Sequence, residues 1–263
     1  MTRKIIGVII MVVLLVVGCF AGTMFYKQYA DAKSSASTFE NLQEQIKNTE
    51  ELSSSETEQS TTVDSENTPA ETEPTVFDKY RPLQEQNSDM VGWIFIEGTE
   101  INYPVMQTRN NPDYYLKHSF DKTWSDYGVP YVDEACTVGI SNNLVIYGHN
   151  MKNGSMFSGL VQYKSKEFFE THPIICFDTV DEPGQYQVIA AFCYNTNNEA
   201  FKYNEHSDMD EAEFAEYVAS CKSRSIYDTG VTAEYGDMLI TLSTCEYTYT
   251  NGRFVVVAKK IVE

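Results

Sequence analysis

The chain has 263 residues, 42% of them hydrophobic, enough for one sizeable domain with additional segments. Its formal net charge is −19 at pH 7, from 19 basic and 38 acidic residues. So acidic a chain without a basic stripe repels phosphate backbones, which argues against nucleic acid as a partner.

The N-terminal segment carries an uninterrupted apolar run over residues 5–26. At about 1.5 Å per residue, a helix of this length spans the ~30 Å hydrocarbon core of a bilayer. Arg3 and Lys4 precede the run, and positive charge favours the cytoplasmic side. We therefore expect a cytoplasmic N-terminus (1–4), a transmembrane signal-anchor (5–26) and an extracellular remainder. A cleaved signal peptide and lipid attachment at Cys19 are the alternatives.

An acidic spacer rich in Ser, Thr and Glu is predicted over residues 27–76. Its second part, TEELSSSETEQSTTVDSENTPAETEPTV, has eight acidic residues, no Lys or Arg, and almost nothing to bury. Such composition is typical of disorder. Residues 33–48 are compatible with a short helix, but its apolar face is thin. The spacer is therefore expected to be largely disordered.

From residue 77 onward the chain is rich in aromatic and β-branched residues, in short runs broken by turn signals. Strands are predicted at 92–96, 103–106, 144–147, 174–177, 186–194, 238–243 and 254–261. One helix is predicted near 208–223, where the apolar residues Phe214, Tyr217, Val218 and Cys221 fall at i, i+3, i+4 and i+7. This pattern favours a mainly β domain, a barrel or a sandwich with a helical insertion.

The six cysteines point to thiol chemistry more than to a disulfide framework. Cys19 lies in the apolar run, and the remaining five are an odd number, so at least one thiol stays unpaired within the chain. Phosphate-loop, dinucleotide and zinc-ligand motifs are missing from the sequence. A catalytic cysteine then becomes the leading hypothesis, and such a residue needs a base or a cation nearby.

Cys245 ends the apolar strand GDMLITLSTC, and an Asn-Gly turn signal separates it from a second strand that begins at Arg253. If the two strands are antiparallel neighbours, Cys245 and Arg253 face each other. His149 follows another apolar strand, NNLVIYG, with its ring free to project. A packing or disulfide-bonded cysteine and a surface arginine remain the structural alternatives.

The combination of LVIYGHN, TLSTC and NGR before an apolar strand resembles the sortases, cysteine transpeptidases of Gram-positive cell walls, and class B most closely. The resemblance covers roughly residues 77–263, which we expect to be an extracellular catalytic domain. It implies an eight-stranded β-barrel with N-terminal helices and one long helix inserted between late strands.

Carried onto this chain, the resemblance implies that Cys245 is the nucleophile, His149 the general acid/base and Arg253 the oxyanion donor. It also implies a substrate-binding role for three further residues: Ser243, Glu246 and Asn102.

The implied function is that of a membrane-anchored transpeptidase. It would cleave a C-terminal sorting signal of NPxT type after threonine, through a thioester, and pass the protein to an amine of a peptidoglycan precursor or a pilin. No metal or cofactor is implied. The alternatives are a surface cysteine peptidase that only hydrolyses and a non-catalytic adhesion module.

Overall fold

The computed structural model of the protein describes residues 2–59, 76–197 and 200–262. Its helices are α1 (Thr2–Gln59), α2 (Val76–Gln86), α3 (Lys166–Thr171) and α4 (Glu211–Arg224). Its strands are β1 (Met90–Phe95), β2 (Asn102–Met106), β3 (Tyr131–Val132), β4 (Asn143–Tyr147), β5 (Ile174–Thr179), β6 (Gln185–Asn195), β7 (Leu239–Glu246) and β8 (Gly252–Lys260). Two 3₁₀ helices lie at Tyr114–Leu116 and Phe157–Lys164.

The eight strands close into a barrel in the order β1-β2-β3-β4-β7-β8-β6-β5, and β5 pairs back onto β1. The pairs β2/β3 and β4/β7 are parallel, whereas the other neighbours are antiparallel. Consecutive valines 255–257 of β8 are fully buried, because this strand is covered on both of its faces. The barrel confirms the mainly β, eight-stranded prediction.

Each of the seven predicted strand segments overlaps an observed strand, and the predicted helix near 208–223 corresponds to α4, between β6 and β7. Its stripe of Phe214, Tyr217, Val218 and Cys221 is buried. Strand β3 was not predicted, because two residues are too few to show a period.

The structure differs from the expected disordered spacer over residues 27–59, which continue α1 as helix. Phe39, Leu42 and Ile46 are buried, and the Phe39 ring meets Tyr103 of β2 edge to face with centroids 4.9 Å apart. Their spacing of i, i+3 and i+7 places them on one helical face, and the barrel supplies the surface that this narrow stripe needs. Residues 60–75 of the predicted spacer lie outside the described residues.

The N-terminal part of α1 is long and apolar enough to cross a membrane, by length and composition. A signal sequence near the N-terminus can have the same length and apolar composition.

The N-terminus of α4 is closed by a capping box. Asp210 accepts a hydrogen bond from the backbone N–H of Glu213 at 2.9 Å, and the Glu213 carboxylate accepts one from the Asp210 N–H at 3.1 Å. Asp210→Ala should lower the free energy of unfolding by about 1 kcal/mol, measured by urea denaturation, because an orphan N–H loses its acceptor. Asp208→Ala, an exposed change outside the helix, is the matched control. An equal effect of the two substitutions would contradict the capping role.

Candidate active site

The parallel pairing of β4 with β7 builds the site. Tyr147 pairs with Ser243 at the end of β4, and the alignment continues past the strand. The Gly148 N–H donates to the Ser243 carbonyl at 3.1 Å, and the Thr244 hydroxyl donates to the Gly148 carbonyl at 2.7 Å. The loop after β4 is therefore held alongside the residues that lead to Cys245.

Asn150 continues the hydrogen bonds between this loop and β7. Its side-chain amide donates to the backbone carbonyl of Cys245 at 2.8 Å. His149 stands between Gly148 and Asn150, which are both tied to β7. The loop that carries His149 is thus held beside the end of β7 that carries Cys245.

Cys245 and Arg253 are directly paired across the antiparallel hairpin of β7 and β8. Directly opposite residues share one face of a sheet. Tyr194 of β6 pairs with Arg253 on its other side and extends the same face. The Arg253 guanidinium donates from Nη1 to the carbonyl of Gly252 at 3.0 Å.

The His149 ring is oriented by the backbone carbonyl of Leu116, which lies 2.8 Å from Nε2. A carbonyl oxygen can only accept, so Nε2 carries a proton and Nδ1 holds the lone pair of the neutral ring. The His149 carbonyl in turn accepts from the N–H of Phe157 at 2.8 Å. Burial lowers the pKa of this imidazole below 6.5, although the bond to Leu116 acts in the opposite direction.

Tyrosines surround the Arg253 side of the site. Tyr203 shares a 2.7 Å hydrogen bond with the buried Ser243 hydroxyl, two residues before Cys245 on the same face of β7. Its ring packs edge to face on Tyr194 with centroids 4.8 Å apart. Burial raises the pKa of Tyr203 to about 12, while Arg253 acts to lower it. The predicted residue Ser243 therefore holds Tyr203 in place on the face of β7 that carries Cys245.

Glu246 points to the other side of the sheet, because side chains alternate along a strand. Its carboxylate accepts from Lys164 Nζ at 2.6 Å and from the N–H and hydroxyl of Thr248 at 2.9 and 2.6 Å. Burial alone would raise the pKa of Glu246, but these hydrogen bonds outweigh it and hold the pKa below its usual value. Glu246 thus braces the turn between β7 and β8.

Asn102 is not brought to the other predicted residues. Its side chain accepts from the Trp93 indole at 2.6 Å, and its carbonyl accepts from Gln43 of α1 at 2.9 Å. It lines a cavity of about 740 Å³ between α1, α2 and the barrel, together with Tyr80 and Cys176. Its substrate-binding role stays a prediction.

The other barrel cysteines are poor candidates for a nucleophile. All six cysteines lie in the described part of the chain, and their thiols are free. Burial raises the pKa of Cys136 and of Cys221 to about 12, and it raises the pKa of Cys176 and Cys193 as well. A thiol with a raised pKa carries less of the reactive thiolate at neutral pH.

Both the sequence and the fold match those of known proteins. Residues 94–261 match the sortase domain. The chain belongs to the sortase family. It is 36% identical over 191 residues to sortase B of Listeria monocytogenes, covering 72% of this chain and 76% of the relative.

Two solved structures share the fold of this sortase. The Staphylococcus aureus sortase B–substrate complex has a TM-score of 0.73 at 29% identity, covering 88% of this chain and 98% of that one. A sortase B complexed with triglycine has a TM-score of 0.72 at 29% identity, with the same coverage. The class B resemblance is confirmed, and the sortase is a cysteine transpeptidase of that class.

Several groups that shape the sortase site were not found from sequence. Leu116 acts through its backbone carbonyl, which no side-chain pattern reveals. Asn150 stands in the motif YGHN, but its bond to Cys245 spans 95 residues and depends on the strand order. Tyr203 has no motif around it. Of these groups, only Asn150 could have been suspected from the sequence, because it directly follows His149.

The titration of His149 tests the buried setting of its ring. In an NMR titration of the folded sortase, His149 should show a pKa below 6.5, with the resonance assigned through its loss in His149→Gln. Because the folded state then binds fewer protons than the unfolded state, the free energy of unfolding should fall as pH drops below about 6.5 and level off below the folded pKa. His149→Gln should flatten this dependence. A folded-state pKa at or above 6.5 would contradict the desolvated setting.

Proposed function

We propose that the sortase cleaves a C-terminal sorting signal of NPxT type after its threonine and transfers the acyl group to a cell-wall or pilin amine. The observation that carries the proposal is the direct pairing of Cys245 with Arg253 beside the loop that holds His149. The relative captured as a sortase B–substrate complex, similar over 88% of this chain, supports a peptide substrate of this kind.

In the first half of the reaction, Cys245 is the nucleophile and His149 takes its thiol proton on Nδ1, the ring nitrogen not bonded to Leu116. The thiolate adds to the threonine carbonyl, and Arg253 stabilises the oxyanion of the tetrahedral intermediate. The carbon–nitrogen bond then breaks, and His149 returns the proton to the leaving amine. A thioester on Cys245 remains.

In the second half, an acceptor amine attacks the thioester and His149 takes the proton that the amine loses. The new carbon–nitrogen bond forms as the carbon–sulfur bond breaks, and His149 returns the proton to the departing sulfur, which regenerates the Cys245 thiol. The relative complexed with triglycine supports an acceptor with a terminal amine. Ser243 contributes to the pocket by holding Tyr203 in place, and Glu246 contributes by holding the β7–β8 turn in place through Thr248.

The apolar part of α1 anchors the sortase as a single-pass protein of the cell membrane. Residues 5–26 span the bilayer, residues 1–4 stay in the cytoplasm, and the barrel lies outside. Arg3 and Lys4 support this orientation, since short cytoplasmic flanks carry an excess of positive charge. Residues 77–263 form the catalytic domain, with the second half of α1 packed on it.

Cys245→Ala should abolish both peptide cleavage and the thioester, because no other group supplies the nucleophile, while the melting temperature stays close to the wild-type value. Mass spectrometry of an NPxT peptide incubated with and without triglycine separates transfer from hydrolysis. Cys193→Ala is the matched control, since Cys193 pairs with Phe254 and faces the opposite side of the sheet. Full turnover by Cys245→Ala would refute the assignment, and hydrolysis unaffected by triglycine would favour a peptidase.

Arg253→Lys should lower kcat roughly 10²- to 10³-fold, the range for loss of one oxyanion donor. The ammonium keeps the charge but not the planar fork of the guanidinium. Arg81→Lys, on the exposed side of α2, should leave kcat unchanged. Wild-type turnover in Arg253→Lys would show that charge alone suffices at this position.

A further inference from the structure

The helix α1 fixes how far the barrel stands from the membrane. It runs without interruption from the apolar residues 5–26 to the segment that packs on the barrel. The first barrel contact along it is at Asp31, whose carboxylate accepts from the backbone N–H of Asp126 at 2.8 Å. Later contacts follow in order, with Phe39 on Tyr103 and Gln43 on Asn102. Asp126 therefore marks the membrane-proximal end of this interface.

The distance from the apolar run to this contact is short. Asp31 follows Tyr26 by five residues, which corresponds to about 7.5 Å of helix. A bilayer of ~40–45 Å with a ~30 Å hydrocarbon core has a headgroup layer of about 5–7.5 Å on each side. The barrel surface at Asp126 is consequently level with the outer part of the headgroups.

The Trp124 hairpin, residues 117–126, presents a surface suited to that layer. Trp124 is 69% exposed and forms an antiparallel β-bridge with His118. The His118 ring stacks on Tyr114 with ring centroids 3.8 Å apart. On α1, Tyr26 and Tyr29 precede Asp31 by five and two residues and are also exposed. Amphipathic aromatic rings of this kind are enriched where membranes meet water.

The lysines of the Trp124 hairpin are expected to contribute little to an attraction between this surface and lipid headgroups. Lys117 is paired with Asp126 and Lys122 with Asp89, both at 2.9 Å. Since both lysines are already neutralised by carboxylates, the contact is expected to rest on Trp124 rather than on attraction to anionic lipids.

We propose that the Trp124 hairpin rests in the headgroup layer of the membrane that holds α1, with Trp124 as its lipid contact. The inference depends on the anchoring given under Proposed function. The carbonyl of Leu116 that orients His149 immediately precedes this hairpin. The site then opens close to the bilayer surface, where it meets substrates that are themselves held at the membrane.

The chain suits a direct test, because it has two tryptophans and Trp93 is only 5% exposed in the barrel. The full chain is placed in nanodiscs of zwitterionic lipid, either ordinary or brominated near the top of the acyl chains. Bromine should quench part of the tryptophan emission of the wild type. Trp124→Phe should lose this quenching, while Trp93 continues to emit.

A spacer variant tests the geometry. Seven alanine-rich helical residues inserted between Lys27 and Gln28 should lift the barrel by about 10 Å while nearly keeping the rotational phase of α1, and should abolish the quenching. Equal wild-type emission in brominated and ordinary lipid would overturn the proposal, as would quenching that survives the spacer. A wild-type chain that fails to float with lipid vesicles would instead overturn the anchoring itself.

Discussion

The parallel pairing of β4 with β7 is the constraint on which the site depends. Cys245 and Arg253 are paired in a local hairpin, but His149 lies in the loop after β4, a strand that ends almost a hundred residues earlier. The bonds from Gly148, Thr244 and Asn150 extend the ladder just past the end of β4. A loop that left the sheet one residue sooner would not hold His149 beside the end of β7.

The helix α1 takes part in the same arrangement. Phe39 packs on Tyr103, whose hydroxyl accepts from the N–H of the buried Met156 at 3.0 Å. Met156 forms an antiparallel β-bridge with Asn150, the residue after His149. The segment expected to be a disordered spacer is thus linked through Tyr103 to the loop that holds the histidine. The apolar N-terminal segment is therefore joined to the barrel by one continuous helix rather than by the disordered spacer that was expected.

Local features were predictable from the sequence, and long-range ones were not. The Asn-Gly turn signal and the two flanking strands placed Cys245 opposite Arg253, and the stripe of α4 gave its helix. The proximity of His149 rested on family resemblance, because parallel pairing between distant strands leaves no local signal. The docking of α1 was missed because three apolar residues in an acidic segment suffice only when a partner surface is present. Asn102, whose substrate-binding role stays a prediction, contacts α1 through Gln43 rather than the other predicted site residues.

The alternation of side chains along β7 also determines the electrostatics of the site. The chain as a whole is strongly acidic, and a carboxylate beside Cys245 would disfavour both a thiolate and an oxyanion. Glu246 is next in sequence, yet the pleat turns it to the opposite face, where Lys164 neutralises it. The face of Cys245 instead holds Arg253, and the neighbouring loop carries His149, whose pKa is lowered by burial. A cation therefore lies opposite Cys245, in a protein whose net charge is strongly negative.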